Sequence, residues 1–214
     1  MIKLINIKKK INNKIILDNI NLEFTEGKIY GIKGKNGSGK SMLLKTILGI
    51  SKPTKGKVLV EDIDIYNKNR FLTSCGVLIE NTNFFENFSG YENLLMLSKI
   101  KNKISKEQII EQLKKYDLFE SKDKKISEYS QGMRQKIGII QAIMEDEKYI
   151  LLDEVFNYLD RDSIALVKQN LNEIKQNKII IITSHIPSDF DNLTDEIIEI
   201  KNGQIVEERG VSNE

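Results

Sequence analysis

Residues 34–41 read Gly-Lys-Asn-Gly-Ser-Gly-Lys-Ser, which fits the phosphate-loop pattern G-x-x-x-x-G-K-[ST] at each fixed position. The segment before it, 28–33, has the composition of a short strand, and the apolar residues of 42–48 predict a helix after it. Glycines let the loop turn tightly, so that successive N–H groups and the positive end of the helix dipole point into one concavity. This context favours a polyphosphate site over a flexible Gly/Ser-rich turn, and it predicts that the chain binds a nucleoside triphosphate.

The side chains of this loop have predicted roles of their own. Lys40 is expected to reach the β- and γ-phosphates as a point charge, and the Ser41 hydroxyl to supply one hard oxygen to Mg²⁺. The predicted nucleotide-binding residues of the loop are Gly34, Asn36, Gly37, Ser38, Gly39, Lys40 and Ser41.

Charge and composition narrow the possible partners. The 33 Lys and Arg residues nearly balance the 31 Asp and Glu residues, so the net charge of +2 gives no reason to expect a nucleic-acid surface. The single cysteine, Cys75, cannot form an intramolecular disulfide, and the N-terminus shows no charged-then-apolar leader, so we expect a cytosolic protein. No apolar run approaches the roughly 18 residues of a membrane span. A role at a membrane is therefore expected to need a partner.

Strand-like and helix-like segments alternate along most of the chain. The predicted strands are rich in apolar and β-branched residues and cover 2–8, 15–24, 28–33, 57–60, 76–79, 149–153, 178–183 and 196–200. Asn202 and Gly203 follow the last of these and indicate a hairpin. The pattern predicts an α/β fold, in which an N-terminal antiparallel β region precedes a phosphate-loop core with a mostly parallel sheet.

The middle of the chain has a different pattern. Ser89 with Glu92 and Ser105 with Gln108 form two capping-box sequences, and each precedes apolar residues at helical spacing. We therefore expect one domain with a helical subdomain at 89–144, between core segments 1–88 and 145–214.

A second chemical feature is the apolar segment 149–152, which ends in Asp153 and Glu154. Acidic residues often simply end strands at turns. Beside a phosphate loop, however, carboxylates at the end of a buried strand can face the nucleotide. We therefore predict that Asp153 holds Mg²⁺ and that Glu154 polarises the attacking water.

A third feature is residues 129–136, Tyr-Ser-Gln-Gly-Met-Arg-Gln-Lys, which precede an apolar helical pattern. Ser130 is predicted to be the N-cap of this helix, and the N-terminus of the helix would form a second anion site. This segment resembles the signature loop of the nucleotide-binding subunit of ATP-binding-cassette (ABC) transporters, with Gln131 and Met133 in place of the usual Gly and Gln. The resemblance implies a head-to-tail homodimer in which Ser130 and Gly132 of one subunit close over ATP on the other.

The resemblance continues along the chain in the family's order. Residues 157–160, Asn-Tyr-Leu-Asp, occupy the place of the D-loop and keep its Leu-Asp. His185, the sole histidine, matches the switch histidine. A lone histidine often has no function, but one at the carboxyl end of a strand is well placed to contact the γ-phosphate.

Two positions depart from the family pattern. Glu80 stands where the Q-loop glutamine is expected, a variant that resembles the bacitracin-resistance and lantibiotic-immunity branch, and a carboxylate there can still ligate Mg²⁺. Ile11 stands near the position of the aromatic residue on which adenine stacks, so apolar packing is expected to replace stacking.

Together these features favour an ABC-type ATPase that binds ATP and Mg²⁺. The resemblance implies that it powers export of, or immunity to, a peptide, drug or lipid-like compound through a separate membrane subunit. The alternative is a nucleotide-regulated interaction module with little turnover. The catalytic residues are predicted to be Lys40, Glu154 and His185, and the Mg²⁺ ligands Ser41, Glu80 and Asp153.

Overall fold

The computed structural model of the chain describes residues 1–67, 70–79 and 83–210. Its strands are β1 (Ile2–Ile11), β2 (Lys14–Phe24), β3 (Lys28–Lys33), β4 (Lys55–Val60), β5 (Ile63–Asp64), β6 (Cys75–Leu78), β7 (Tyr149–Leu152), β8 (Ile179–Ser184), β9 (Glu196–Lys201) and β10 (Gln204–Gly210). Its α-helices are α1 (Lys40–Ile47), α2 (Gly90–Lys101), α3 (Lys106–Lys115), α4 (Gln131–Ile143) and α5 (Arg161–Ile174). Short 3-10 helices cover Phe119–Ser121, Ile126–Glu128 and Pro187–Phe190.

The larger sheet has the strand order β10-β9-β3-β8-β7-β6. All neighbouring strands from β9 to β6 are parallel, and β10 pairs with β9 in the antiparallel sense, as the Asn202-Gly203 turn predicted. Every residue of β7 and β8 is buried, as expected of strands covered on both faces. The predicted α/β fold with a mostly parallel sheet is confirmed.

This strand order places the predicted site. β8 lies between β3 and β7, so the carboxyl ends of these three strands lie side by side. The phosphate loop follows β3, Asp153 follows β7, and His185 follows β8. Three segments that are far apart in sequence therefore meet at one edge of the sheet.

The N-terminal β region forms a second sheet with the order β2-β1-β4-β5, in which all pairs are antiparallel. β1 and β2 are longer than predicted because Asn12 and Asn13 both adopt positive φ and form a tight hairpin. Ile11 is therefore the last residue of a strand, paired with Lys14.

The helical segment contains both predicted capping boxes. The Ser89 hydroxyl accepts from Glu92 N at 3.1 Å, and the Glu92 carboxylate accepts from Ser89 N at 2.7 Å. Ser105 and Gln108 make the same exchange. α4 packs closely against β6, where a Cβ on Gly76 would lie 1.6 Å from Ala142 O, so only glycine fits there. Within the described ranges, no helix has the length and apolarity that a bilayer crossing requires.

Candidate active site

The phosphate loop has the backbone that its glycines were expected to provide. Gly37 and Gly39 have φ of 78° and 113°, and α1 begins directly after Gly39, which has no side chain to cap the helix. A Cβ on Gly34 would lie 2.5 Å from Ile200 O. The buried hydroxyl of Ser38 has no hydrogen-bond partner among the described residues. A loop with uncapped N–H groups and an unsatisfied hydroxyl fits a polyphosphate guest.

Lys40 is held inside this loop rather than extended into solvent. Its side chain is only 5% exposed. Its Nζ donates to Gly34 O at 2.7 Å and lies 3.0 Å from Glu154 Oε1. Lys40 therefore contacts a carboxylate in the loop where it is expected to bind the phosphates.

The two acidic residues after β7 are held by a hydroxyl from the neighbouring strand β8. The fully buried Thr183 donates to Asp153 Oδ1 at 2.5 Å and accepts from Glu154 N at 2.9 Å. Asp153 itself is 6% exposed. The Thr183 hydroxyl thus holds the side chain of Asp153, the predicted metal ligand, and the backbone of Glu154, the predicted catalytic residue.

The three predicted catalytic residues come together around one carboxylate. Glu154 Oε2 lies 2.9 Å from His185 Nδ1, while Oε1 contacts Lys40. Glu154 adopts φ of 48°, a left-handed conformation, whereas most other non-glycine residues of this kind in the chain are Asn or Asp. An unusual backbone at this position aims the side chain between the phosphate loop and the end of β8.

The predicted metal ligands are hard oxygen donors, and two of them can be placed. Ser41 is in the first turn of α1, directly after the phosphate loop, and Asp153 follows β7. Both therefore lie at the carboxyl ends of the parallel strands. Hydroxyl and carboxylate oxygens are ligands that Mg²⁺ accepts. The third predicted ligand, Glu80, lies outside the described residues. The described residues contain no group of three or more His, Cys, Asp or Glu side chains that could hold a metal.

The signature segment starts α4 as predicted. Ser130 is the N-cap, and its hydroxyl accepts from Met133 N at 3.2 Å. A Cβ on Gly132 would lie 2.7 Å from Tyr158 O, which places the D-loop segment against this turn. Asp160 of that segment caps α5 by accepting from Ser163 N at 2.8 Å. Ser130 and Gly132 belong to a separate element from the phosphate loop and are exposed or half-buried.

Ile11 is the last residue of β1, and 40% of it is exposed. An exposed apolar side chain is compatible with packing on a base, and its role toward adenine stays a prediction.

The sequence did not indicate two residues that organise this site. Thr183 is one of them, and the other is Gln135 of α4, whose side-chain amide donates to Glu154 O and Val155 O. A polar residue at the end of an isoleucine run was the only signal for Thr183. Gln135 belongs to the signature segment 129–136, but its role could not be predicted, because its contact depends on how α4 lies against the loop after β7.

Comparison with known proteins identifies the family. Residues 17–157 match the model of the family described as "ABC transporter". The chain belongs to this family. The resemblance and the ABC-type ATPase class expected from the sequence are confirmed.

Curated relatives align with almost the whole chain. An uncharacterized ABC transporter ATP-binding protein of Bacillus subtilis, YybJ, is 37% identical over 96% of this chain and 94% of its own length. The bacitracin transport ATP-binding protein BcrA of Enterococcus faecalis is 34% identical over 97% of this chain and 68% of its own length. The lantibiotic transport ATP-binding protein SrtF of Streptococcus pyogenes is 31% identical over 98% and 90%.

Solved structures of the family share the fold. A dimeric bacterial ABC transporter cassette, MJ0796, superposes with a TM-score of 0.87 at 27% identity, with both chains fully covered. A dimeric post-hydrolysis state of the same cassette, bound to ADP and Pi, gives a TM-score of 0.83 at 26% identity, also with full coverage.

Proposed function

We propose that this ABC ATPase powers export of, or immunity to, a peptide, drug or lipid-like compound through a separate membrane subunit. The observation that supports ATP hydrolysis is the Glu154 carboxylate, which lies within 3.0 Å of Lys40 and 2.9 Å of His185. The compound class is proposed because relatives are named for bacitracin and lantibiotic transport. The chain works at the cytoplasmic face and is held at the membrane by its partner.

The first step of the proposed mechanism is an exchange of partners by Lys40. The β- and γ-phosphates of ATP replace the Glu154 carboxylate as the anion that Lys40 binds, because charge-assisted bonds to phosphate are strong. Glu154 is then free to accept a hydrogen bond from the attacking water. His185 keeps the carboxylate oriented through Nδ1 and presents its other nitrogen toward the γ-phosphate.

Residues for the metal, for the partner's nucleotide and for the base complete the site. Ser41, Asp153 and Glu80 would hold Mg²⁺, which would supply positive charge that neutralises the phosphates. Ser130 and Gly132 of a second copy close over the nucleotide, since the helix N-terminus that they form is suited to a phosphate. Ile11 packs on the adenine.

The experiment is steady-state ATP hydrolysis by wild type and Glu154→Gln. The substitution keeps the side chain's size but removes the base, so turnover is expected to fall by about 10²–10⁴ while ATP still binds. Glu173→Gln, a change of the same kind on the exposed face of α5, is the matched control and is expected to leave the rate unchanged. Light scattering with ATP is expected to show that Glu154→Gln accumulates as a dimer.

Two results would contradict the proposal. Wild type without ATPase activity would favour the alternative, a nucleotide-regulated interaction module. Activity that persists in Glu154→Gln would mean that another group activates the water.

The membrane subunit is proposed to dock on the segment that precedes α2. Phe85 and Phe88 are 62% and 44% exposed and stack edge to face with ring centroids 6.0 Å apart. Residues 85–89 are held in place because the buried Asn93 accepts from Phe85 N at 2.9 Å and donates to Ser89 O at 2.9 Å. Exposed aromatic residues on a fixed loop are typical of protein interfaces.

A double variant, Phe85→Ser with Phe88→Ser, tests this surface. It is expected to bind ATP normally but to lose the membrane subunit that co-purifies with wild type. Co-purification at the wild-type level would exclude the surface. The division into core segments 1–88 and 145–214 and a helical subdomain 89–144 is also proposed, and it places this surface at the end of the first core segment, directly before the subdomain.

A further inference from the structure

Gln135 connects two functional segments of the same subunit. It lies in α4, one turn after Ser130 and Gly132. Its Nε2 donates to Val155 O at 2.9 Å and to Glu154 O at 3.2 Å. The helix that begins with the signature segment is therefore hydrogen-bonded to the loop that carries the proposed base.

The loop needs external support because its backbone is strained. Glu154 has φ of 48°, and such a conformation costs a non-glycine residue free energy unless its surroundings impose it. On the N–H side of Glu154, Thr183 of β8 provides the bond that holds the backbone. On the carbonyl side, the side-chain amide of Gln135 and the backbone N–H of Asn157, at 3.1 Å, donate to Glu154 O. Only Gln135 among these comes from α4.

The start of α4 is itself anchored, so it can act as a fixed support. Arg134, the residue before Gln135, makes a two-pronged ion pair with Glu86, with distances of 2.5 and 2.7 Å. Such paired bonds fix orientation as well as distance. Arg134 thus ties the helix to the segment before α2, while Gln135 ties it to the loop after β7.

We infer that Gln135 is a positioning residue: it transmits the placement of the signature helix to Glu154 of the same subunit. This inference rests on the proposed function, in which Ser130 and Gly132 contact the nucleotide held by a second copy. Closure of α4 over the partner's nucleotide would then set the carboxylate in its own site. Gln135 does not touch ATP in this scheme and acts through the backbone of residues 154 and 155.

The test uses two substitutions in the full-length chain. Gln135→Leu keeps approximate size without any donor, and Gln135→Glu keeps size and polarity but offers carboxylate oxygens to two carbonyls. Gln169→Leu removes a surface amide from α5, where it donates to Glu173 Oε1 at 2.8 Å, and serves as the control. We measure kcat, the Kd for Mg-ATP and for its β,γ-imido analogue, and the thermal unfolding midpoint.

Both Gln135 variants are expected to lose about 10- to 100-fold in kcat, because a misplacement of about 1 Å at a reacting group costs up to ~10² in rate. Their nucleotide Kd is expected to stay within about twofold of wild type, since the phosphate loop is untouched. A merely structural role would instead change Kd and the unfolding midpoint together with kcat.

Two outcomes overturn the inference. One is wild-type kcat in both variants, and the other is a parallel loss of nucleotide affinity and unfolding midpoint in both. Failure of the proposed function gives a different result: either the wild-type protein has no ATPase activity, or its activity persists in Glu154→Gln. Gln135→Glu keeps a polar side chain at this position, so the inference can still be tested with this variant if Gln135→Leu folds poorly.

Discussion

Thr183→Val should be among the most destabilising isosteric substitutions in this chain. The change replaces a hydroxyl by a methyl group of similar size at a fully buried position, so it creates no large cavity. It removes the bond to the Asp153 carboxylate at 2.5 Å and leaves Glu154 N–H, at 2.9 Å from the lost oxygen, without that acceptor. Hydrogen bonds to charged groups contribute about 1.5–3 kcal/mol, and an unsatisfied buried donor costs about 1–3 kcal/mol. We expect the free energy of unfolding to fall by about 3 kcal/mol.

Thr183→Ser is the matched control because it keeps the hydroxyl and loses one buried methyl group. That loss is expected to cost about 1 kcal/mol. Urea unfolding followed by circular dichroism measures both variants; with a slope near 2–3 kcal/mol per molar, the valine midpoint should fall by about 1 M. A valine variant as stable as the serine variant would refute the reasoning, since the hydroxyl would then contribute nothing measurable.

Three further predictions concern single side chains. Lys40→Ala should abolish tight Mg-ATP binding, since it removes the cation buried in the phosphate loop, and calorimetric titration with unchanged affinity would contradict the site. Glu80→Gln should lower the apparent Mg²⁺ affinity of the ATPase while it keeps turnover, whereas Glu80→Ala should weaken hydrolysis; identical Mg²⁺ curves would mean that Glu80 is not a ligand. Cys75 should react slowly with iodoacetamide at pH 8, because burial, aided by the charge of Glu147, raises its pKa to about 12 and leaves the thiol protonated. Rapid alkylation of the native protein would contradict this, and urea-unfolded protein is the control.

Features set by neighbouring residues could be predicted from the sequence. The phosphate loop, the capping boxes at Ser89 and Ser105, and the alternation of strands and helices are local patterns, and each has its counterpart in the structure. Their ends were less well predicted. β1 runs to Ile11 rather than to residue 8, because Asn12 and Asn13 with positive φ form the turn of the hairpin.

The contacts that organise the site could not be predicted, because they are long-range. Thr183 is 30 residues from Asp153, and Gln135 is 19 residues from Glu154. No local propensity links such pairs, and only the strand order and the packing of α4 bring them together. The left-handed backbone of Glu154 is also invisible in the sequence, since glutamate does not favour that conformation and no glycine marks the position.

The left-handed backbone of Glu154 constrains which substitutions this protein can accept during evolution. A residue in the left-handed region is easier to accommodate as glycine, which has no Cβ to strain. A glycine there would, however, lose the carboxylate that lies 3.0 Å from Lys40 and 2.9 Å from His185. Substitutions that stabilise the loop after β7 are therefore expected to be those that remove hydrolysis, and selection for thermal stability alone would drive this chain toward an inactive protein.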